Sequence, residues 1–381
     1  MIKRLAVIAD PLESIRAKGI DEGLSRYFNP AGFFDEVYFL SPDERTRSSC
    51  KGFEVIPARD VALPGLLRRL GIDVVRAYGG RWPAEMAVFF RAPNVPAVVS
   101  IHDRRPELLY PAVRWADIVL CVSAQARAQV LRYHSSPDRV WLRPNGVDLA
   151  QMKALPAAQW ALLDSKYPLE QIILHIGRKS PEKNIETLIN ALTFIPSGTG
   201  LVMIGPGDDS ALRRLAEAKG VLSRCVFIET IPNIELPVFY NWADCFCLPS
   251  LDEAMSNVVL EAMACGCPMV LSAASAAGVG IENGKEALIV DDPRSPEALA
   301  CLILRVLEDK TSAADRGANA AIKAAQYDGR ITAKKEAEQY QLIFEMRDSG
   351  LFEQPLLHIA ARKADQYWTR LTRRIAREFK Q

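Results

Sequence analysis

Two glutamates that stand eight residues apart offer the clearest chemistry in this chain. Glu253 and Glu261 flank the start of a short predicted helix, bounded by the capping residues Ser256 and Gly266. Eight helical residues turn a side chain by about 80° and raise it by about 12 Å, so one helix could not aim both carboxylates at one ligand. Glu253 precedes the cap, however, and its loop can fold back over the helix start. At the helix start, the free backbone N–H groups and the helix dipole favour the binding of phosphate. The alternative interpretation is that Glu253 and Glu261 are ordinary acids at the protein surface.

A pair of cations follows an earlier predicted strand in a comparable position. Arg178 and Lys183 bracket Ser180 and Pro181, a combination typical of a helix start. Two cations beside a helix start could balance the charges of a diphosphate and later stabilise it as a leaving group. The alternative is that both are ordinary surface side chains.

The elements that position these residues are short apolar strands that alternate with helical patterns. Such alternation is typical of an α/β fold with a parallel, doubly wound sheet, and here it occurs twice. The predicted strands are residues 4–9, 36–40, 74–78, 97–101 and 118–122, followed by 172–176, 201–204, 225–229, 245–248, 269–271 and 287–290. We expect two Rossmann-like domains, with ligands outside the carboxyl ends of the strands, in the cleft between the domains.

Five segments, in the expected order, resemble the retaining GT-B glycosyltransferases, particularly those of family 4. They are residues 143–148, similar to the interdomain PNGVD signature; 173–178 and 182–184, similar to the donor-phosphate loop; 201–208, similar to the next strand and glycine turn; and 250–268, similar to the E-x7-E segment. The resemblance implies a GT-B fold in which residues 1–150 bind the acceptor and 151–330 bind the donor. It also implies that residues 331–381 cross back to the first domain and end in a basic tail.

The resemblance assigns roles to individual residues. Arg178 and Lys183 are expected to bind the donor diphosphate, Glu253 the sugar hydroxyls and Glu261 the ribose diol, while His102 lies near the transferred sugar or serves a structural role. The expected catalytic set is His102, Glu253, Arg178 and Lys183. The expected donor-binding set is Gly19, Gly177, Arg178, Lys183, Gly205, Glu229, Ala254, Met255, Ser256 and Glu261.

The chain departs from the family pattern at two places. Ala254 and Met255 replace the usual glycine and aromatic residue after the first glutamate. The Gly-Gly turn that many relatives have after the first strand is absent, and we interpret Lys18 and Gly19 as its replacement. The expected acceptor-binding set is Lys18, Tyr78, Arg81 and Trp82, where Trp82 either stacks on a sugar or packs in the core.

The composition of the chain limits its possible partners and its cellular location. The chain has 381 residues and a net charge of +1, which argues against nucleic-acid binding, and no apolar stretch approaches the ~20 residues of a membrane span. No signal peptide precedes the first strand, so a cytoplasmic protein is expected. Eight cysteines lie mostly within apolar runs, and core thiols are favoured over metal ligands there.

Residues 350–381 carry 7 lysines and arginines against 3 acids in an amphipathic pattern. That tail is expected either to rest on an anionic membrane or to dock on the basic first domain.

The predicted function is transfer of a hexose or N-acetylhexosamine from a nucleotide sugar, with UDP favoured, to the hydroxyl of a glycan or glycolipid acceptor. The resemblance implies retention of configuration, no metal and no cofactor, since Arg178, Lys183 and helix amides would balance the diphosphate. A dehydrogenase is disfavoured because no strand is followed by the G-x-G-x-x-G fingerprint. The alternative function is a catalytically silent sugar-nucleotide binding protein on the same fold.

Overall fold

The computed structural model describes residues 2–9, 27–41, 44–50, 52–58, 62–92, 94–109, 112–134, 136–352 and 360–368. The chain divides into two compact units. Unit 1 comprises Met1–Pro144 together with Ala333–Gln381, and unit 2 comprises Asn145–Thr332. The sequence interpretation divided the chain after residues 150 and 330 and had the last segment cross back to the first domain. The division in the structure falls after Pro144 and Thr332.

In the described part of unit 1, eight strands form one sheet in the order β3-β4-β2-β1-β5-β6-β7-β8, parallel except for β3. The strands are β1 (Arg4–Ile8), β2 (Glu36–Ser41), β3 (Ser48–Cys50), β4 (Phe53–Pro57), β5 (Val74–Tyr78), β6 (Ala97–Ile101), β7 (Ile118–Cys121) and β8 (Val140–Leu142). The helices are α1 (Leu63–Leu70), α2 (Trp82–Phe89), α3 (Pro106–Leu109) and α4 (Ala124–Val130). The central strands are buried on both faces, which explains their continuous apolar runs.

Unit 2 contains a six-stranded parallel sheet in the order β11-β10-β9-β12-β13-β14. Its strands are β9 (Gln171–Ile176), β10 (Thr199–Ile204), β11 (Cys225–Ile228), β12 (Cys245–Leu248), β13 (Met269–Ser272) and β14 (Leu288–Val290). Its helices are α5 (Leu162–Lys166), α6 (Ile185–Ala191), α7 (Ser210–Ala218), α8 (Leu236–Trp242), α9 (Asn257–Ala264), α10 (Ala273–Ala277), α11 (Pro296–Glu308) and α12 (Lys310–Ala324). The carboxyl ends of β9, β10 and β12 therefore meet at one edge of this sheet.

A long helix, α13 (Gly329–Asp348), begins in unit 2 and continues in unit 1. Its side chains Tyr340, Ile343 and Phe344 are buried in the core of unit 1 with residues of the sheet such as Val7 and Phe39. The resemblance implied that residues 331–381 cross back to the first domain, and α13 contains the first part of that segment. This helix supplies part of the unit 1 core from the far end of the sequence.

The two helix starts predicted at Ser180 and Ser256 differ in the structure. Ser180 and Pro181 begin a 3-10 turn (Pro181–Lys183), not an α-helix, because Asn184 adopts a left-handed φ of 56° before α6 starts. The helix predicted after Ser256 is present as α9, and Gly266 follows it with a φ of 70°. The side chain of Ser256 makes no capping hydrogen bond, so only its position matches the prediction.

Six of the eight cysteines are buried. Cys245, Cys247, Cys265 and Cys267 are buried free thiols, whereas Cys301 is exposed. Among the residues the structure describes, no group of three or more potential ligands could hold a metal ion. In the same part of the chain, no helix has the length and apolar character needed to cross a membrane.

Candidate functional site

Two glycines bring the ends of neighbouring strands β9 and β10 into close contact. Gly177 donates its backbone N–H to the carbonyl oxygen of Ile204 at 2.9 Å. A Cβ atom added to Gly205 would overlap the carbonyl oxygen of Gly177, and Gly205 has a φ of 148°. Only glycine combines that conformation with so close an approach of two chains. The two predicted donor-loop glycines therefore lie together at the carboxyl edge of the unit 2 sheet.

A lysine and a glutamate from two different loops form an ion pair at this edge. Lys183 Nζ pairs with Glu253 Oε1, and the two side chains are 15% and 12% exposed. The loops are held together by the backbone, since Leu251 N–H donates to the carbonyl oxygen of Glu182 at 2.8 Å. Asn184 adds a side-chain donor to the carbonyl oxygen of Pro249 at 3.1 Å. Two of the predicted catalytic residues, 70 positions apart in the chain, are therefore neighbours.

The other predicted phosphate ligand lies at the surface. The side chain of Arg178 is 69% exposed, and its Nη2 atom lies 3.4 Å from Glu182 Oε1. At this exposure such a pair contributes little to stability, so Arg178 is free to reorient toward a bound anion. The structure brings Lys183 and Glu253 into contact but leaves Arg178 extended beside them.

The segment between the two glutamates is packed against neighbouring backbone. Ala254 and Met255 are buried, and a Cβ atom on Gly278 would lie 2.5 Å from the carbonyl oxygen of Ala254. Asn145 donates its backbone N–H to Met255 Sδ at 3.2 Å and its side-chain amide to Asn257 Oδ1 at 2.8 Å. Met255, which replaces the usual aromatic residue, therefore ties the segment to the PNGVD signature within unit 2.

Glu261 lies on α9 and is held by two side chains that the sequence did not single out. Tyr240 donates its hydroxyl to Oε2 at 2.8 Å, and Asn233 donates its amide to Oε1 at 3.1 Å. Burial raises the pKa of Glu261 from its ordinary 4.5 to about 7, although both hydrogen bonds oppose the shift. The carboxylate is thus fixed in one orientation and is sparingly ionised below neutral pH. No motif in the sequence marks Tyr240 or Asn233, which precede Glu261 by 21 and 28 residues.

A second lysine, not predicted from the sequence, joins the strand ends. Lys179 Nζ donates to the carbonyl oxygen of Gly205 and to that of Ile228, the latter at 3.2 Å. Burial lowers the pKa of Lys179 below its ordinary value, and the nearby acids Asp209 and Glu229 oppose this shift only in part. Glu229 itself is exposed just after β11. The predicted donor ligand Glu229 therefore lies at the same edge, and its interaction is with Lys179.

A buried histidine lies directly beneath the glycine contact. His175 on β9 is fully buried, and its Nδ1 atom is 3.0 Å from the carbonyl oxygen of Cys247, so Nδ1 carries the proton. Its Nε2 atom has no hydrogen-bond partner in the described part of the chain and lies 3.4 Å from where a Cβ of Gly177 would be. Burial lowers the pKa of His175 to about 4, so the ring is neutral. The sequence offered no signal for this histidine beyond its place in the strand.

In unit 1, His102 follows β6 and is surrounded by tyrosines. Its ring stacks on that of Tyr78 with a centroid distance of 6.1 Å, and its Nε2 atom is 3.4 Å from the hydroxyl of Tyr27. Burial, followed by the charges of Arg143 and Arg76, lowers the pKa of His102 to about 3. A neutral imidazole can accept or donate one hydrogen bond to a sugar hydroxyl. His102 and Tyr78, both predicted site residues, are therefore adjacent.

The remaining predicted acceptor residues begin the helix after β5. Arg81 is exposed and has a φ of 61°, a conformation that is uncommon for a residue other than glycine. Trp82 is the first residue of α2 and is partly buried. This intermediate burial does not decide between stacking on a sugar and packing in the core. Lys18 and Gly19, the expected replacement of the Gly-Gly turn, lie outside the described residues.

Two family models match successive parts of the chain. The model described as Glycosyltransferase Family 4 matches residues 24–151, and the model described as Glycosyl transferases group 1 matches residues 165–323. The first match spans strands β2 to β8 of unit 1, and the second spans strands β9 to β14 of unit 2. The chain belongs to the group 1, family 4 glycosyltransferases of the GT-B fold.

Curated relatives match across part of their length. A GDP-mannose-dependent alpha-(1-6)-phosphatidylinositol monomannoside mannosyltransferase of Mycobacterium tuberculosis is 30% identical over 215 residues, which cover 53% of this chain and 55% of that protein. O-antigen chain mannosyltransferase B of Escherichia coli is 27% identical, with 62% of this chain and 63% of that protein covered. The chain spans little more than half the length of the curated relatives it matches.

Solved structures match nearly the whole chain and define the fold. Sucrose-phosphate synthase from Thermosynechococcus elongatus has a TM-score of 0.74 at 21% identity, with 90% of this chain and 99% of that chain covered. Anabaena HepE in complex with UDP has a TM-score of 0.74 at 19% identity, with 89% and 100% covered. At these identities the similarity establishes the GT-B fold that the sequence predicted.

Proposed function

We propose that this protein transfers a hexosyl unit from a nucleotide sugar to an acceptor hydroxyl, with retention of the anomeric configuration. The observation that carries the proposal is the meeting of Lys183 and Glu253 beside the Gly177–Gly205 contact. A lysine and two close-packed backbone segments at the carboxyl edge of a parallel sheet suit a diphosphate. A carboxylate beside them suits the hydroxyls of the attached sugar.

In this proposal each group has one role at the donor. When the donor binds, Lys183 releases Glu253, pairs with the diphosphate and stabilises the charge of the leaving group. Arg178 reorients from the surface and binds the diphosphate as a second cation. Glu253, released from the lysine, accepts hydrogen bonds from the sugar. Glu261, already oriented by Tyr240, accepts both hydroxyls of the ribose in its ionised form.

Because two cations serve the diphosphate, we propose that transfer requires neither a metal nor another cofactor. The measurement is the initial rate with and without EDTA, and a rate that falls with EDTA and recovers with Mg²⁺ would overturn this part. Retention is checked separately by the anomeric coupling constant of the product in proton NMR. An inverted product would contradict it.

The donor is tested by thermal unfolding with UDP-, GDP- and ADP-sugars, since a ligand that binds the folded state raises its melting temperature. The sequence favoured a UDP-sugar. The relative from Mycobacterium tuberculosis is named for GDP-mannose, so that donor stands beside UDP-glucose in the screen. If no nucleotide sugar raises the melting temperature, the donor site is wrong.

Two substitutions connect binding to catalysis. Lys183→Met and Glu253→Gln should each abolish donor hydrolysis and transfer, whereas the exposed residues of α7 and its end provide matched controls, Lys219→Met and Glu217→Gln. Loss of hydrolysis and transfer in Lys183→Met and Glu253→Gln, with normal rates in Lys219→Met and Glu217→Gln, would support an enzyme. Nucleotide-sugar binding without turnover in the unsubstituted protein would instead indicate the catalytically silent binding protein.

We further propose that the acceptor is a glycan or glycolipid and that the protein acts at the inner face of the cytoplasmic membrane. Most of residues 356–381 lies outside the described part of the chain, but residues 360–368 are helical. Tyr367 and Trp368 there are 65% and 61% exposed, as suits aromatic side chains at a lipid interface. Co-sedimentation with anionic and neutral vesicles tests this. Equal binding of the unsubstituted protein and a Tyr367→Ser, Trp368→Ser variant would reject the tail as the contact.

A further inference from the structure

Unit 1 contains two buried arginines with a single carboxylate between them. Arg76, in the middle of β5, is fully buried; it donates from Nε to Ser100 Oγ at 2.9 Å and from Nη1 to Tyr340 Oη at 3.0 Å. Its Nη1 atom also pairs with Glu336 Oε1. Arg143, just after β8, donates from Nε to the other oxygen of Glu336 at 2.6 Å. One carboxylate on α13 therefore serves two guanidinium groups.

The surrounding groups do not compensate the second positive charge. Among the described residues, neither arginine has an ion pair with any carboxylate other than Glu336, and the nearby Asp103 is paired with Arg105 at 2.6 Å. Tyr27 supplies no negative charge, because a tyrosine hydroxyl is protonated at neutral pH. His102 is neutral at physiological pH. The Arg76–Glu336–Arg143 cluster thus carries a net positive charge in a mostly buried setting.

Not every donor of this cluster is satisfied. Arg76 Nη2 is buried and has no hydrogen-bond partner among the described residues, which is unusual because buried donors are normally satisfied. The guanidinium carbon of Arg143 lies 5.4 Å from the ring centre of Tyr27, and Tyr27 is 38% exposed. The Arg143 side chain is 10% exposed, so its guanidinium group lies at the solvent boundary of the cluster, beside Tyr27.

We propose that Arg143, supported by Arg76, binds an oxyanion, and that the acceptor substrate therefore carries a phosphate or carboxylate group. Tyr78, His102 and Arg143 stand at or just after the carboxyl ends of β5, β6 and β8, the edge at which the acceptor is expected. Guanidinium groups bind phosphate and carboxylate through paired hydrogen bonds. The anionic group would orient the acceptor so that a hydroxyl comes to His102. This inference rests on the proposed function for its meaning, but the anion site is testable without it.

The primary measurement is the binding of inorganic phosphate by calorimetry, in buffer whose ionic strength is held constant with chloride. Arg143→Gln should weaken phosphate binding by about tenfold or more, the effect of losing a charged hydrogen bond. The exposed Arg132 of the same unit provides a matched control, and Arg132→Gln should bind phosphate like the unsubstituted protein. Malonate in place of phosphate shows whether carboxylates are bound as well.

A second substitution acts in the opposite direction and guards against mere misfolding. Glu336→Gln keeps the shape of the side chain but removes the negative charge, so it should tighten phosphate binding several-fold. A purely structural role for the cluster would make both variants less stable and would not move phosphate affinity in opposite directions. No phosphate binding by the unsubstituted protein, or unchanged binding in both variants, would overturn the proposal.

The donor site gives an independent reference. Lys183→Met should lose nucleotide binding and keep phosphate binding, whereas Arg143→Gln should do the reverse. If nucleotides fail to bind the unsubstituted protein while the Arg143 pattern holds, the proposed function fails and the anion site stands. If phosphate binding is lost in Lys183→Met and kept in Arg143→Gln, phosphate occupies the donor site and the inference is wrong.

Discussion

Replacing Glu261 by glutamine should remove a pH dependence of stability that this one carboxyl imposes on unit 2. Burial raises the pKa of Glu261 from 4.5 to about 7 in the folded protein. Between these values the folded state holds a proton that the unfolded state has lost, so the free energy of unfolding falls as pH rises through this window. At 1.36 kcal/mol for each unit, the loss amounts to about 3 kcal/mol and is complete above about pH 7.

The assay is urea unfolding at about pH 5 and about pH 8, with the difference between the two taken for each variant. Glu261→Gln lacks the titrating group, so its difference should be smaller than that of the unsubstituted protein by about 2–3 kcal/mol. Glutamine has one acceptor oxygen for Tyr240 and Asn233, which costs about 1 kcal/mol at both pH values and cancels in the difference. The exposed Glu217→Gln serves as the control. A pH dependence that is the same in all three proteins would refute the reasoning.

Two further predictions concern backbone geometry in unit 2. Gly205→Ala should lower the free energy of unfolding by about 1–3 kcal/mol more than Gly220→Ala, because both positions have positive φ but only the first leaves no room for a Cβ; equal losses in urea unfolding would contradict the close contact with Gly177. Ser295 accepts a hydrogen bond from the backbone of Ala298, whereas Ser256 makes no such bond. Thermal unfolding should therefore show a loss of about 1 kcal/mol for Ser295→Ala and under about 0.5 kcal/mol for Ser256→Ala, and the reverse order would count against the capping assignment.

The fold was predictable because its strands are buried on both faces. Residues 74–78, 97–101 and 245–248 were predicted with the bounds that the structure has, since each is a short apolar run with polar flanks. The strands β3, β4 and β8 were missed. β3 is a short antiparallel edge strand that alternates little, and β8 is only three residues long. Such segments carry too little apolar pattern to be separated from loops.

The candidate site was predictable only where a motif preserves it. Lys183 and Glu253 were found by resemblance, but their contact depends on the packing of two loops and leaves no local pattern. Tyr240, which orients Glu261, lies on a different helix and has no motif of its own. The helix start predicted at Ser180 and Pro181 is present, but only as a 3-10 turn, because the left-handed conformation of Asn184 interrupts it before α6 begins.

The return of α13 to unit 1 bears on how the chain is made. Synthesis delivers residues 2–144 to the solvent long before Tyr340 and Phe344, which fill part of their core, and before Glu336, which neutralises Arg76. Unit 2 is continuous in sequence and can fold as soon as it has left the ribosome. Of the two units, the one whose synthesis begins first is therefore completed last. A chain interrupted before residue 333 would leave unit 1 with Arg76 and Arg143 and no counter-charge from this helix.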